Sequence, residues 1–136
     1  MKFIYEKANI ITTYKNTPFV IESAFNAKAL WNILGLLCGF SIGLNCFEKG
    51  LSISHIGTIV VNHEAKIGEN CRLHVCVNIG TGSPQIGNNV YIGPGAKIFG
   101  KIRIANGIKI GANAVVNKDF YQEGKTIVGV PAKYIG

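Results

Sequence analysis

Three histidines, His55, His63 and His74, are the side chains of this 136-residue sequence best suited to proton chemistry near neutral pH. His55 stands apart by position. Counting back six from Val61, where the local spacing calls for an aliphatic side chain, lands on it. An imidazole there reads in two ways: a core histidine with its hydrogen bonds satisfied, or a general base that takes the proton of a hydroxyl. His63 and His74 fall at other positions of the spacing and are expected on the surface or at a ligand rim. Ser54, Asn62, His63, Asn78 and Thr81 offer polar groups to a small hydroxyl-bearing substrate. Asn62 and Asn78 suit plain chain corners equally well.

These residues must be positioned by a repeat. An aliphatic residue returns every six positions at Val61, Ile67, Leu73 and Ile79, then restarts one residue late at Ile86, Ile92, Ile98, Ile104, Ile110 and Val116. Four residues after them come Ala65, Cys71, Val77, Val90, Ala96, Ile102, Ile108 and Ala114, all small or apolar. Two inward positions per six residues fit neither a helix nor a lone strand. They fit a β-solenoid whose coils have three flat sides. The restart falls at Ser83-Pro84-Gln85.

Residues 1–45 lack this pattern. An apolar stripe of Ile21, Phe25, Leu30, Ile33, Leu36 and Leu37 predicts one or two helices there, ending at Gly39. The expected organisation is an N-terminal helical segment over 1–45, the solenoid over 46–118, and a loop and tail over 119–136 that packs back on it. Eleven hexads, three to a coil, make somewhat under four coils. So short a stack needs caps, and the helical segment can supply one. Outward Val60, Val75 and Tyr91 predict that copies associate side by side.

The bulk composition narrows the class. A 48% hydrophobic fraction with 17 glycines excludes a disordered or collagen-like chain. Net charge is +7, yet no aromatics interleave with the basic residues as a single-strand nucleic-acid platform requires. The charge reads first as solvated surface and second as attraction for a phosphate-bearing ligand. Cys38, Cys46, Cys71 and Cys76 form no CxxC pair, which favours free thiols over disulfides or a metal site. No signal peptide is legible after Met1. The apolar run 29–44 holds Asn32 and falls short of the about 20 residues that span a bilayer. A cytoplasmic protein is expected.

The repeat resembles the hexapeptide-repeat acyltransferases, and within them the serine O-acetyltransferases and the O-acetyltransferases of bacterial polysaccharide gene clusters. The run Gly50 to Val61 is similar to the segment that carries the family's catalytic histidine, and places His55 on it. The blocks Ile92–Gly100 and Ile110–Val116, and Gly129-Val-Pro-Ala-Lys133, resemble the acetyl-CoA-binding coils and tail. The resemblance implies a left-handed parallel β-helix, a homotrimer, acetyl-CoA as co-substrate without a metal, and His55 as the base of a direct transfer. It further implies that Gly93, Pro94, Gly111 and Ala112 line the pantetheine arm. Lys118, Lys125 and Lys133 become candidates to meet the CoA phosphates.

Two departures from the family pattern matter. A base of this kind is oriented by a carboxylate on its second ring nitrogen, but the gapless offset puts Phe40 at the family's partner aspartate, and Ser54 replaces the aspartate that precedes the histidine. Glu48, the Ser52 or Ser54 hydroxyl, or a backbone carbonyl are the substitutes. Second, only Gly80–Gln85 stands where serine acetyltransferases carry a longer loop with an arginine. Without that fork for a carboxylate, a sugar hydroxyl is favoured over serine. Other readings are a zinc enzyme similar to the γ-class carbonic anhydrases, and a catalytically inactive acyltransferase-like scaffold.

Overall fold

The computed structural model describes residues 2–6, 9–14, 17–20 and 24–136. Strands β1 (Lys2–Glu6), β2 (Asn9–Tyr14) and β3 (Thr17–Val20) form an antiparallel sheet. Helix α1 (Ala24–Cys38) follows, then β4 (Phe40–Ile42), β5 (Ser52–Ile53), β6 (Ile59–Val61) and β7 (Lys66–Ile67). Next come β8 (Arg72–Leu73), β9 (Asn78–Ile79), β10 (Gln85–Ile86) and β11 (Tyr91–Ile92). The chain continues through β12 (Lys97–Ile98), β13 (Arg103–Ile104), β14 (Lys109–Ile110) and β15 (Val115–Val116). It ends with β16 (Thr126–Val128) and β17 (Lys133–Ile135).

The short strands stack into three parallel sheets that wall a prism. The first face runs β4-β6-β9-β12-β15, the second β7-β10-β13, and the third β5-β8-β11-β14-β16, with β17 antiparallel on its end. Each two-residue strand points its first side chain out and its second in. Register pairs Ile53, Leu73, Ile92, Ile110 and Ile127 down the third face, so one aliphatic rests on the next. The second inward set, Ala65 through Ala114, is buried as well. Each buried isoleucine is worth roughly 1.5–3 kcal/mol, which is how strands of two residues hold at all.

Corners turn on residues in the left-handed backbone region. Asn70, Asn89 and Asn113 take φ near 55–56° there, and Asn tolerates this better than most L residues. The corner amides also tie coil to coil: Asn88 Oδ1 accepts from Glu69 N at 2.8 Å and Asn106 Oδ1 from Asn88 N at 2.8 Å.

The solenoid is longer than the repeat. It begins at Phe40 and runs to Val128, beyond the 46–118 span on both sides, and its first face stacks five strands rather than fewer than four coils. Phe40 and Ile42 pair with Ile59 and Val61, while Phe47 and Phe120 bridge to Ile67 and Ile104 as the inward residues of the end coils. Aromatic side chains at these places carry no six-residue signature, so the end coils escape the count. Among the described residues of the expected N-terminal helical segment only Ala24–Cys38 is helix, and strands precede it. β-branched Ile10, Ile11, Thr12 and Thr13 favour the extended backbone found at β2.

The helix caps the prism, though with a different stripe from the one expected. Trp31 and Cys38 are buried, whereas Ile33, Leu36 and Leu37 are exposed. The side chains of Phe25 and Leu30, and all of Ile21, lie outside the described residues. Trp31 packs its ring 5.1 Å from Phe40 and donates from Nε1 to Ile42 O at 3.0 Å. That bond fixes the angle at which the helix meets the first coil. The helix stops at Gly39, whose φ of 77° lets the chain turn into β4.

Candidate active site

His55 stands at the corner where the third face turns into the first, directly after β5. The register carries the same corner through the stack: Ser54, His74, Gly93 and Gly111 follow Ile53, Leu73, Ile92 and Ile110. One residue on, His55 is followed down the stack by Val75, Pro94 and Ala112. Four sequence candidates that lie far apart in the chain, His55, Gly93, Pro94 and Gly111, thus share one edge of the prism. Ala112 joins them, and Lys133 pairs with Val128 at the end of the same column.

The imidazole of His55 is exposed, and His74 lies below it with ring centroids 6.4 Å apart. The His74 ring in turn packs on Tyr91 at 4.9 Å. Arg72 reaches back along the same face and donates from Nε to Ser54 Oγ at 3.2 Å. Burial, then the Arg72 guanidinium, then His55 push the His74 pKa below its ordinary value. The expectation for His74, the surface or a ligand rim, did not include its place beside His55. The missing signal was the coil length, which brings His74 under Ser54.

Of the substitutes for an orienting carboxylate, Glu48 stands on another face. Its backbone N donates to Ile67 O at 2.9 Å, and it lines a cavity with Lys66 and Gln85. Phe40 is core. Ser54 is the hydroxyl beside His55, and it is engaged by Arg72.

The glycines of this corner are explained by the coils themselves. A Cβ on Gly93 would sit 2.8 Å from Ile110 O and 2.9 Å from Ala112 N; one on Gly111 would sit 2.7 Å from Val128 Cγ1. Close approach of coil to coil already requires them, before any ligand is considered.

The other polar candidates occupy the opposite edge of the first face. Asn62, His63 and Thr81 line an open cleft of about 740 Å³ shared with Asn32, Ser41 and Val60. Asn62 Oδ1 accepts from Glu64 N at 2.9 Å, the corner bond its residue type suggests. Asn78 points outward from the middle of the face, paired between Val60 and Lys97. Within one chain, His55 and His63 are thus separated by seven residues, the three of β6 among them, across the width of the first face. The structure does not bring them together. Val60 lies on this face, whereas Tyr91 lies on the third.

The restart at Ser83-Pro84-Gln85 lies on this second edge too. Pro84 turns inward and is buried, and Ser83 takes φ 55°. It opens a cavity of about 260 Å³ lined by Lys101, Arg103, Asp119 and Tyr121. A hydrogen bond from Tyr121, then one from the Arg103 backbone, holds Asp119 below the usual carboxylate range. Lys118 lies over the Phe120 ring at 5.7 Å, away from Lys133. The four cysteines are free thiols. Among the described residues no group of three or more His, Cys, Asp or Glu side chains converges as a metal site requires, and no helix is long and apolar enough to cross a membrane.

The family described as bacterial transferase hexapeptide (six repeats) matches residues 83–118. A serine acetyltransferase of Helicobacter pylori is 36% identical over 119 residues, covering 82% of this chain and 69% of that protein. One from Staphylococcus aureus is 36% identical over 145 residues, covering 93% and 68%. Among solved structures, serine acetyltransferase of Neisseria gonorrhoeae superposes with a TM-score of 0.70 at 34% identity, covering 82% of this chain and 46% of that one. A serine acetyltransferase in complex with CoA gives 0.69 at 31% identity, covering 82% and 49%. The chain spans about half the length of these solved neighbours. Sequence and fold agree over most of its length: the chain belongs to the serine acetyltransferase family of hexapeptide-repeat proteins.

Proposed function

We propose that this chain is an acetyl-CoA-dependent O-acetyltransferase with His55 as its general base. The observation that carries the reading is the corner itself: an exposed imidazole at the head of a column of small residues, Gly93, Pro94, Gly111 and Ala112. That column offers a narrow strip of backbone along which an extended pantetheine arm lies, ending at the base. Lys133, at its far end, is assigned to the phosphates; Lys118, on the other edge, is assigned to those of a ligand held by a neighbouring copy. The neighbour solved with CoA supports the donor.

In the reaction, His55 removes the proton of the acceptor hydroxyl while the oxygen attacks the thioester carbon. The tetrahedral intermediate collapses, the C–S bond breaks, and the thiolate of CoA takes the proton back from His55. No acyl-enzyme is formed. The acceptor assigned here is L-serine, because the relatives are serine acetyltransferases and one neighbour, from soybean, is complexed with serine. The preference for a sugar drawn from the short Gly80–Gln85 loop finds no support among them. Asn62, His63, Asn78 and Thr81 lie too far from His55 to serve it in one chain. In the proposed homotrimer, the part of the first face carrying them is assigned to the His55 edge of the next copy. The protein is assigned to the cytoplasm, in keeping with its free thiols.

The test is release of CoA thiol from acetyl-CoA with L-serine and, separately, sugars and nucleotide-sugars as acceptors. Release with L-serine, abolished by His55→Ala in a protein that still folds, is the expected result. Turnover only with a sugar overturns the acceptor, and full activity of His55→Ala overturns the base.

A further inference from the structure

We propose that His74 is a positioning residue for His55, its buried ring nitrogen accepting a hydrogen bond from the base in place of the absent carboxylate. The inference rests on the reading of His55 as the base. Among the described residues, His74 Nε2 is the buried side-chain nitrogen or oxygen that no hydrogen bond satisfies. Leaving such an atom unpaired is costly, so its presence one coil from the base asks for a partner. His55 is exposed and is the nearest ring on that side. With centroids 6.4 Å apart the rings do not bond in these rotamers. An exposed side chain turns about its torsions at little cost.

The surroundings keep His74 fit for this work. To accept at Nε2 it must be neutral with its proton on Nδ1. Tyr91 packs on the ring, and burial first and the Arg72 guanidinium second oppose a positive charge there. The other groups facing it from the adjoining coils are Ser52, Ser54 and His55 above and, past Tyr91, Lys109 below. None is a carboxylate. The proton count is simple. The acceptor's proton moves to the free nitrogen of His55, the other nitrogen donates to His74 throughout, and the gained proton leaves with CoA. His74 never takes it. The bond matters most when His55 is an imidazolium, which is when catalysis needs it.

The experiment compares the wild type with His74→Phe, which keeps a flat ring on Tyr91, and His74→Gln, which restores an acceptor oxygen. Acetyl transfer is followed across pH, and the ¹⁵N shifts of the His55 ring are recorded without substrates. His74→Phe should lower kcat about ten- to a hundredfold, the range of a hydrogen bond to a charged group, with KM values unchanged. Loss of the acceptor destabilises the imidazolium, so the acid limb of its profile should move to lower pH. His74→Gln should recover part of kcat, and the His55 ring should pass from one fixed tautomer to a mixture in the Phe variant. Unchanged kcat, acid limb and ring shifts in His74→Phe would overturn the proposal. The ring shifts need no turnover: a wild type inactive toward every acceptor would defeat the functional reading while still reporting whether the two rings are paired.

Discussion

His55 and His74 differ in how they could be found. His55 falls six residues before Val61, where a linear reading expects an aliphatic, but in the structure Ile53 fills the inward position and His55 stands exposed at the corner two residues on. His74 follows Leu73 in a position that any polar residue could fill, and only the stacking of coils puts it under Ser54. Position decides reactivity among the cysteines in the same way. Cys71 replaces an aliphatic on the inward register, and burial pushes its thiol up to about 12. Cys46 is also raised by burial, its Sγ donating to Asn62 O at 3.3 Å, whereas Cys76 is exposed at a corner. The thiolate is the reactive form, so iodoacetamide at pH 8 should label Cys76 in the folded protein and leave Cys71 untouched. Peptide mass spectrometry reads this directly; rapid labelling of Cys71 would show that the coil around it opens.

Each element of the solenoid is a strand of two or three residues with no stability of its own. The sequence made the central coils legible because each repeats the same aliphatic, small and turn positions. The first and last coils were missed because Phe40, Phe47 and Phe120 fill the inward sites with aromatic rings. Glycine illustrates how local the constraints are. Gly93 and Gly80 both follow an inward isoleucine, yet a Cβ on Gly93 meets backbone atoms at 2.8 and 2.9 Å while one on Gly80 finds nothing nearer than 3.6 Å. Gly93→Ala should therefore destabilise by about 1–3 kcal/mol, the usual cost of overpacking, and Gly80→Ala by no more than about 0.5 kcal/mol. Equal midpoints for the two variants in urea unfolding would refute the packing account of that corner.

At the scale of the whole molecule, two polar edges of one face stay apart within the chain: His55 on one, and Asn62, His63 and Thr81 on the other. Under the proposed function a single copy offers a base without an acceptor cleft beside it, and side-by-side association is proposed to supply what is missing. Light scattering on the purified protein should give three times the 14.6 kDa of the chain. A monomer with full activity would show that one edge suffices. The acceptor was the least legible feature of all. The short loop before Gln85 pointed to a sugar, whereas the relatives along most of the chain are serine acetyltransferases. A missing arginine says what one loop lacks, and it does not say what a neighbouring copy provides.

The most direct test of the central claim is the rate of CoA release from acetyl-CoA with L-serine, measured for the wild type and for His55→Ala under conditions where both remain folded. The account predicts turnover by the wild type and a loss of at least about a hundredfold in the variant, the low end of what a general base contributes. Equal rates for the two proteins would contradict it.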